Sequence, residues 1–167
     1  MLLRHAEAAR PEGVGDHDRP LSPHGRRQGA EMGKFLARQE PAPDLVLVST
    51  AQRTQETWAL VPDAARHGPG RRDEPRLYEA SLEGLVELIR ETPPAVDTLL
   101  LVGHNPGFEQ LTQSLARTGR PAALSRLQRG YPTAGLAIID FPMDDWAAAK
   151  AGSGYLERFE SLATISQ

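Results

Sequence analysis

The stretch Leu45-Val46-Leu47-Val48-Ser49-Thr50-Ala51-Gln52-Arg53-Thr54-Gln55-Glu56-Thr57 decides the fold class. Its first four residues form an unbroken aliphatic run, which reads as a strand buried in a sheet. Ser49 or Thr50 can cap the helix that follows, which carries Arg53, Thr57 and Trp58 before Pro62 stops it. Arg53 therefore falls in a first helical turn. A buried strand running straight into a helix opens a βαβ unit, because parallel neighbours need a crossover that a helix supplies.

The same alternation recurs on both sides. Downstream, Thr98–Val102 reads as a second buried strand, and Gly103-His104-Asn105-Pro106-Gly107 as a tight turn into a helix that points Phe108, Leu111 and Leu115 inward. Between the two strands, Ser81 caps a helix whose Leu82, Leu85, Val86, Leu88 and Ile89 make one apolar stripe, ended by Pro93-Pro94. Upstream, the short run Met1-Leu2-Leu3 is cut off by Arg4-His5, and the polar residues Glu12–Arg19 read as a loop. Ser22 is then an N-cap and Pro23 a first-turn proline, opening a helix with Met32, Phe35 and Leu36 at helical spacing through Ala37. Arg66–Pro75 reads as one long loop. Gly135–Phe141 and Tyr155–Phe159 read as later strands, with Asp144–Ala151 a helix between them. The expected fold is α/β, a mostly parallel sheet with helices on both faces, and residues 1–167 read as a single domain.

Composition narrows the function classes. Of 167 residues, 40% are hydrophobic and 25% charged, close to soluble globular averages, so collagen-like and disordered readings are disfavoured. The chain has no cysteine, which excludes a disulfide framework, a thiolate zinc site, an iron–sulfur cluster and a cysteine nucleophile. A net charge of −3 argues against a nucleic-acid binder that works by neutralising phosphates, and Arg26-Arg27 and Arg71-Arg72 read as solvated surface. No apolar run approaches a membrane span and no signal segment opens the chain, so the expected location is the cytoplasm.

In open parallel sheets ligands bind beyond the carboxyl ends of the strands. Here the first run ends in Arg4-His5, the second in Ser49-Thr50 with Arg53 one turn on, and the third in Gly103-His104. Alone, each has a bland reading: a solvated strand end, a surface arginine, a turn histidine. Together, two arginines and two histidines at one sheet edge make a pocket for a tetrahedral dianion, since guanidinium forks match phosphate oxygens in geometry and charge. Arg53 gains further from its place at a helix start.

Four segments, in order, resemble one family. Leu3-Arg4-His5-Ala6-Glu7-Ala8, Arg19-Pro20-Leu21-Ser22-Pro23-His24-Gly25, Val48-Ser49-Thr50-Ala51-Gln52-Arg53-Thr54-Gln55-Glu56-Thr57 and Val102-Gly103-His104-Asn105-Pro106 are similar to motifs of the histidine phosphatase superfamily, phosphoglycerate mutase-like, in its SixA-type phosphohistidine phosphatase branch. The resemblance spans nearly the whole chain. It implies a three-layer αβα sandwich, a nucleophilic His5 that becomes phosphorylated, phosphoryl oxygens held by Arg4, Arg53 and His104, and no cofactor or metal. Leu77-Tyr78-Glu79 resembles the segment in which the family places its proton donor, so Glu79 is the candidate acid and Glu7 the reserve. Arg19 is a substrate contact in this reading, or pins its loop through a carboxylate. Tyr131-Pro132-Thr133-Ala134-Gly135 is similar to a late structural turn.

The family's first strand is longer than the three residues before Arg4. The roughly 50 residues between Arg53 and His104 leave little room for the large helical lid of the mutase branch, so an open, shallow site is expected. Such a site suits a phosphorylated protein or a small phosphomonoester. Three alternatives stand beside hydrolysis: a non-catalytic phosphate-recognition module, a phosphotransferring mutase, and a metal-dependent hydrolase built on His5, Asp16, His17, His24 and His104. The first would not need His5 beside Arg4. The second needs water excluded, and the third lacks a close-set ligand pattern.

Overall fold

A computed structural model describes residues 1–62 and 70–166, and its centre is the pair of apolar runs. Strand β2 (Leu45–Val48) and strand β4 (Leu99–Gly103) are buried at every position and lie parallel, with Val48 opposite Val102. Continuous aliphatic sequence is what a strand covered on both faces requires. The short β1 (Leu2–Arg4) runs parallel to β4 on its other side, with Arg4 opposite Gly103. This register brings the carboxyl ends of β1, β2 and β4 to one level. The amide of His5 donates to the Gly103 carbonyl at 3.0 Å, and that of Ser49 to Val102 at 3.0 Å.

Among the described residues the sheet has seven strands in the order β3-β2-β4-β1-β6-β7-β5, where β3 is Gly70–Asp73, β5 Thr118–Gly119, β6 Leu136–Asp140 and β7 Tyr155–Glu160. Four of the six pairings are parallel; β6 is antiparallel to both β1 and β7. Among the described residues the α-helices are α1 (Pro23–Leu36), α2 (Gln52–Ala59), α3 (Leu82–Arg90), α4 (Gly107–Leu115), α5 (Pro121–Gln128) and the short α6 (Leu162–Ile165). Side chains alternate across the sheet and so feed two cores. Leu2, Leu99 and Leu101 pack with Leu85, Leu88, Phe108 and Leu111 from α3 and α4 on one face. Leu3, Leu100 and Val102 pack with Met32, Leu36 and Trp58 from α1 and α2 on the other. The result is a three-layer αβα sandwich without a large insertion. No helix among the described residues is long and apolar enough to cross a membrane.

Two helix starts form as the caps predict: Ser22 Oγ accepts the Gly25 amide at 2.9 Å, and Ser81 Oγ that of Gly84 at 3.1 Å. Three expectations need correction. The cap residue of α2 is Ala51, with no side-chain cap, because both preceding hydroxyls are drawn to imidazoles: Ser49 Oγ to His104 and Thr50 Oγ1 to His17. The long loop expected over Arg66–Pro75 contains β3, whose exposed Gly-Arg-Arg-Asp sequence has no apolar signature and is strand only because it pairs with β2 at the sheet edge; positions 66–69 of that loop lie outside the described residues. The helix expected over Asp144–Ala151 is a single 3-10 turn, Trp146–Ala148, held by the Asp145 cap and by the Trp146 indole N–H on the Val96 carbonyl. Antiparallel β6 and β7 need no crossover helix.

Candidate active site

The three level strand ends open into a cleft of about 790 Å³. At its floor the Nδ1–H of His5 donates to the Ala6 carbonyl at 2.7 Å, which selects the tautomer and leaves the lone pair on Nε2. The Nε–H of Arg53 points at that lone pair from 3.3 Å. The rings of His5 and His104 lie 5.2 Å apart, centre to centre. His104 Nε2 is 2.7 Å from Ser49 Oγ, and its Nδ1 is buried without a partner among the described residues. One Nη of Arg4 donates to the Tyr131 carbonyl, while its buried Nε has no partner among the described residues. The adjacent Arg4 and His5 are thus brought together with the distant Arg53 and His104 by register.

Arg53 is only 6% exposed although its guanidinium is charged. Its cost of burial is offset by Asp16, whose main-chain carbonyl and Oδ2 accept from the two Nη groups at 2.6 and 3.1 Å. Arg19 reaches the same residue: its Nη1 donates to Asp16 Oδ1 at 2.9 Å, and its Nε to the Ala9 carbonyl at 2.9 Å. Arg19 therefore lines the cleft and also pins its own loop. The Tyr78 hydroxyl donates to Asp16 Oδ2 at 2.8 Å, and the Tyr78 ring stands edge-on to His104 at 5.6 Å.

Both carboxyl candidates border the cleft and both are exposed. Glu79 sits with φ at 52°, left-handed backbone that a non-glycine residue adopts only when the surrounding structure demands it. Glu7 accepts the Ser22 hydroxyl at 2.6 Å. The alternative ligand set does not assemble: His24 lies exposed on α1, and no three His, Asp or Glu side chains converge on a metal position among the described residues.

Burial, followed by the charges of Arg53 and Arg4, lowers the His5 imidazole to about 4. His104 is lowered to about 3, first by burial and then by His5 and Arg53. Hydrogen bonds from Tyr78 and Arg19 hold the Asp16 carboxyl far below the usual range. At neutral pH the cleft thus pairs an uncharged imidazole lone pair with guanidinium groups. This combination can attack phosphorus and hold the oxygens around it.

Sequence reasoning missed Asp16 as the shared partner of Arg19 and Arg53, Tyr78 as its hydroxyl donor, and Ser49 as the partner of His104. Asp16 lies three residues before Arg19 in a polar loop, a spacing that carries no signal by itself.

The sequence profile of the histidine phosphatase superfamily (branch 1) matches residues 1–139. An uncharacterized protein of Mycobacterium tuberculosis (strain H37Rv) is 38% identical over 159 residues, covering 94% of this chain and 98% of its own length. Two solved structures, each of a candidate phosphohistidine phosphatase SixA, are similar throughout. That from Agrobacterium tumefaciens is 31% identical with a TM-score of 0.77, covering 96% of this chain and 95% of its own. That from Nakamurella multipartitia is 29% identical with a TM-score of 0.78, covering 95% and 94%.

Proposed function

We propose a reaction course for a chain that belongs to the histidine phosphatase superfamily, SixA-type branch, and is a phosphatase: hydrolysis through a phosphohistidine formed on His5, needing no metal. The Nε2 lone pair attacks phosphorus in line. The bond from phosphorus to the leaving atom breaks, its electron pair goes with that atom, and the departing group takes up a proton. Water then attacks the phosphohistidine, releasing phosphate and restoring the imidazole. Arg4, Arg53 and His104 hold the equatorial oxygens, Arg19 adds positive charge at the rim, and Glu79 is the donor when the leaving group needs a proton, with Glu7 in reserve.

The observation that carries this reading is the His5 Nε2 lone pair, presented in a cationic cleft by the Nδ1–H bond to Ala6. The preferred substrate is a phosphohistidine on a protein surface. Among the described residues no large insertion roofs the cleft, and its two candidate acids are exposed rather than enclosed. A leaving imidazole makes small demands on an acid, because it takes a proton near neutral pH unaided. The likeness to candidate phosphohistidine phosphatases supports the same choice. The unit that works is the whole chain as one domain, since the site draws on β1, β2 and β4 together.

Rapid quenching with a phosphorus-32-labelled phosphohistidine domain tests this. Acid-labile, base-stable label should appear on the wild-type chain, be absent from His5→Ala, and persist in chelator, and kcat/KM should exceed that for an aryl phosphate. Label on His5→Ala rejects the intermediate; faster turnover of the aryl ester rejects the substrate.

A further inference from the structure

Every nitrogen of Arg53 is engaged within the chain: Nε with His5, and both Nη groups with Asp16. The Asp16 carboxylate also receives Arg19 on Oδ1 and the Tyr78 hydroxyl on Oδ2. One anion that collects two guanidinium groups and a hydroxyl makes the contacts that an entering phosphoryl group would seek.

The simplest reading is a clamp that orients the arginines, yet the carboxylate is redundant for that task. Arg53 is enclosed by its surroundings and bonded to the main-chain carbonyl of Asp16 at 2.6 Å. Arg19 is anchored to the carbonyls of Ala9 and Ala8. The Asp16 side chain itself is 55% exposed, on a three-residue 3-10 turn (Asp16–Asp18) preceded by Gly13 and Gly15. The carboxylate is open to water, and if it turns away each arginine gives up one bond to it but keeps its main-chain acceptors. What it adds to the cleft is a negative charge.

We propose that Asp16 is the resident anion of the phosphate cradle: its carboxylate competes with phosphate for Arg53, keeps the affinity for inorganic phosphate low, and so speeds departure of the product. This rests on the reading above that Arg53 holds the phosphoryl group. Asp16 is a residue that sets affinity, acting through Arg53 and Arg19, and it has no part in bond making.

Inorganic phosphate titrated calorimetrically into the full chain at fixed ionic strength separates the two ideas. Asp16→Asn keeps the shape and the Tyr78 contact but loses the charge, and should bind phosphate about tenfold more tightly, the scale of one screened like-charge contact removed. Asp16→Ser, which removes the carboxylate with a smaller side chain, should tighten binding in the same direction, and decides the matter if Asp16→Asn does not fold. Arg53→Ala should weaken binding. Equal or weaker phosphate binding by Asp16→Asn makes the carboxylate a clamp and overturns the proposal while leaving the cradle intact. No phosphate binding by the wild type and by Asp16→Asn alike, with Arg53→Ala indistinguishable from both, removes the cradle and the proposal together.

Discussion

A histidine attacks phosphorus only with its lone pair free, and His5 is kept in that form by its surroundings. Burial disfavours the imidazolium, and the charges of Arg53 and Arg4 disfavour it further, which together place its titration at about 4. A proton-NMR titration of the ring should therefore show His5 uncharged down to about pH 4, where an ordinary imidazole would charge near 6.5. In Arg53→Ala the midpoint should move up, because a positive neighbour has gone. A wild-type midpoint at 6.5 would mean that the ring is open to water and not enclosed by cations. His104 follows the same logic at about 3, so its imidazole is uncharged at neutral pH.

At the scale of elements, the link between α1 and the loop that follows His5 is a close approach of two backbones. A Cβ at Gly25 would lie 1.9 Å from the Glu7 carbonyl oxygen, which itself accepts the Ser22 amide at 2.9 Å. Gly25→Ala must push α1 and the segment Ala6–Glu7 apart. The expected cost is about 1–3 kcal/mol in urea unfolding, as for other overpacked sites, with a parallel fall in kcat because Ala6 supplies the acceptor for His5 Nδ1. Unchanged stability together with full activity would show that the two segments are not coupled. Strand β3 makes the complementary point. Its residues are exposed, and its strand geometry comes from β2 beside it and from no preference of its own.

For the whole molecule, enclosing two imidazoles links stability to pH. The folded values of His5 and His104 lie below that of an unfolded histidine, so between pH 6.5 and about 4 the unfolded chain binds more protons than the folded one. Stability contributed by these groups is present above pH 6.5 and is lost as pH falls through that window. Urea midpoints measured at pH 7.5, 6.0 and 5.0 should decrease in that order, and the decrease should be smaller in His104→Asn. A flat series would mean that neither ring is desolvated by folding.

Much of this architecture can be read from local pattern. The runs at Leu45–Val48 and Thr98–Val102, the caps Ser22 and Ser81, and the placing of Arg4, His5, Arg53 and His104 just after apolar segments follow from hydrophobic continuity and capping, which depend on neighbours in sequence. Asp16, Tyr78 and the partnership of Ser49 with His104 could not be read that way. A polar loop, a tyrosine after a leucine and a serine before a helix each have an ordinary local explanation, and for Ser49 that explanation, a cap, was incorrect. Strand register and loop closure decided which side chains meet: Arg4 lies opposite Gly103 and Val48 opposite Val102 because two cores on either face of the sheet are filled at once. That free energy is shared among residues scattered along the chain, so no window of sequence contains it.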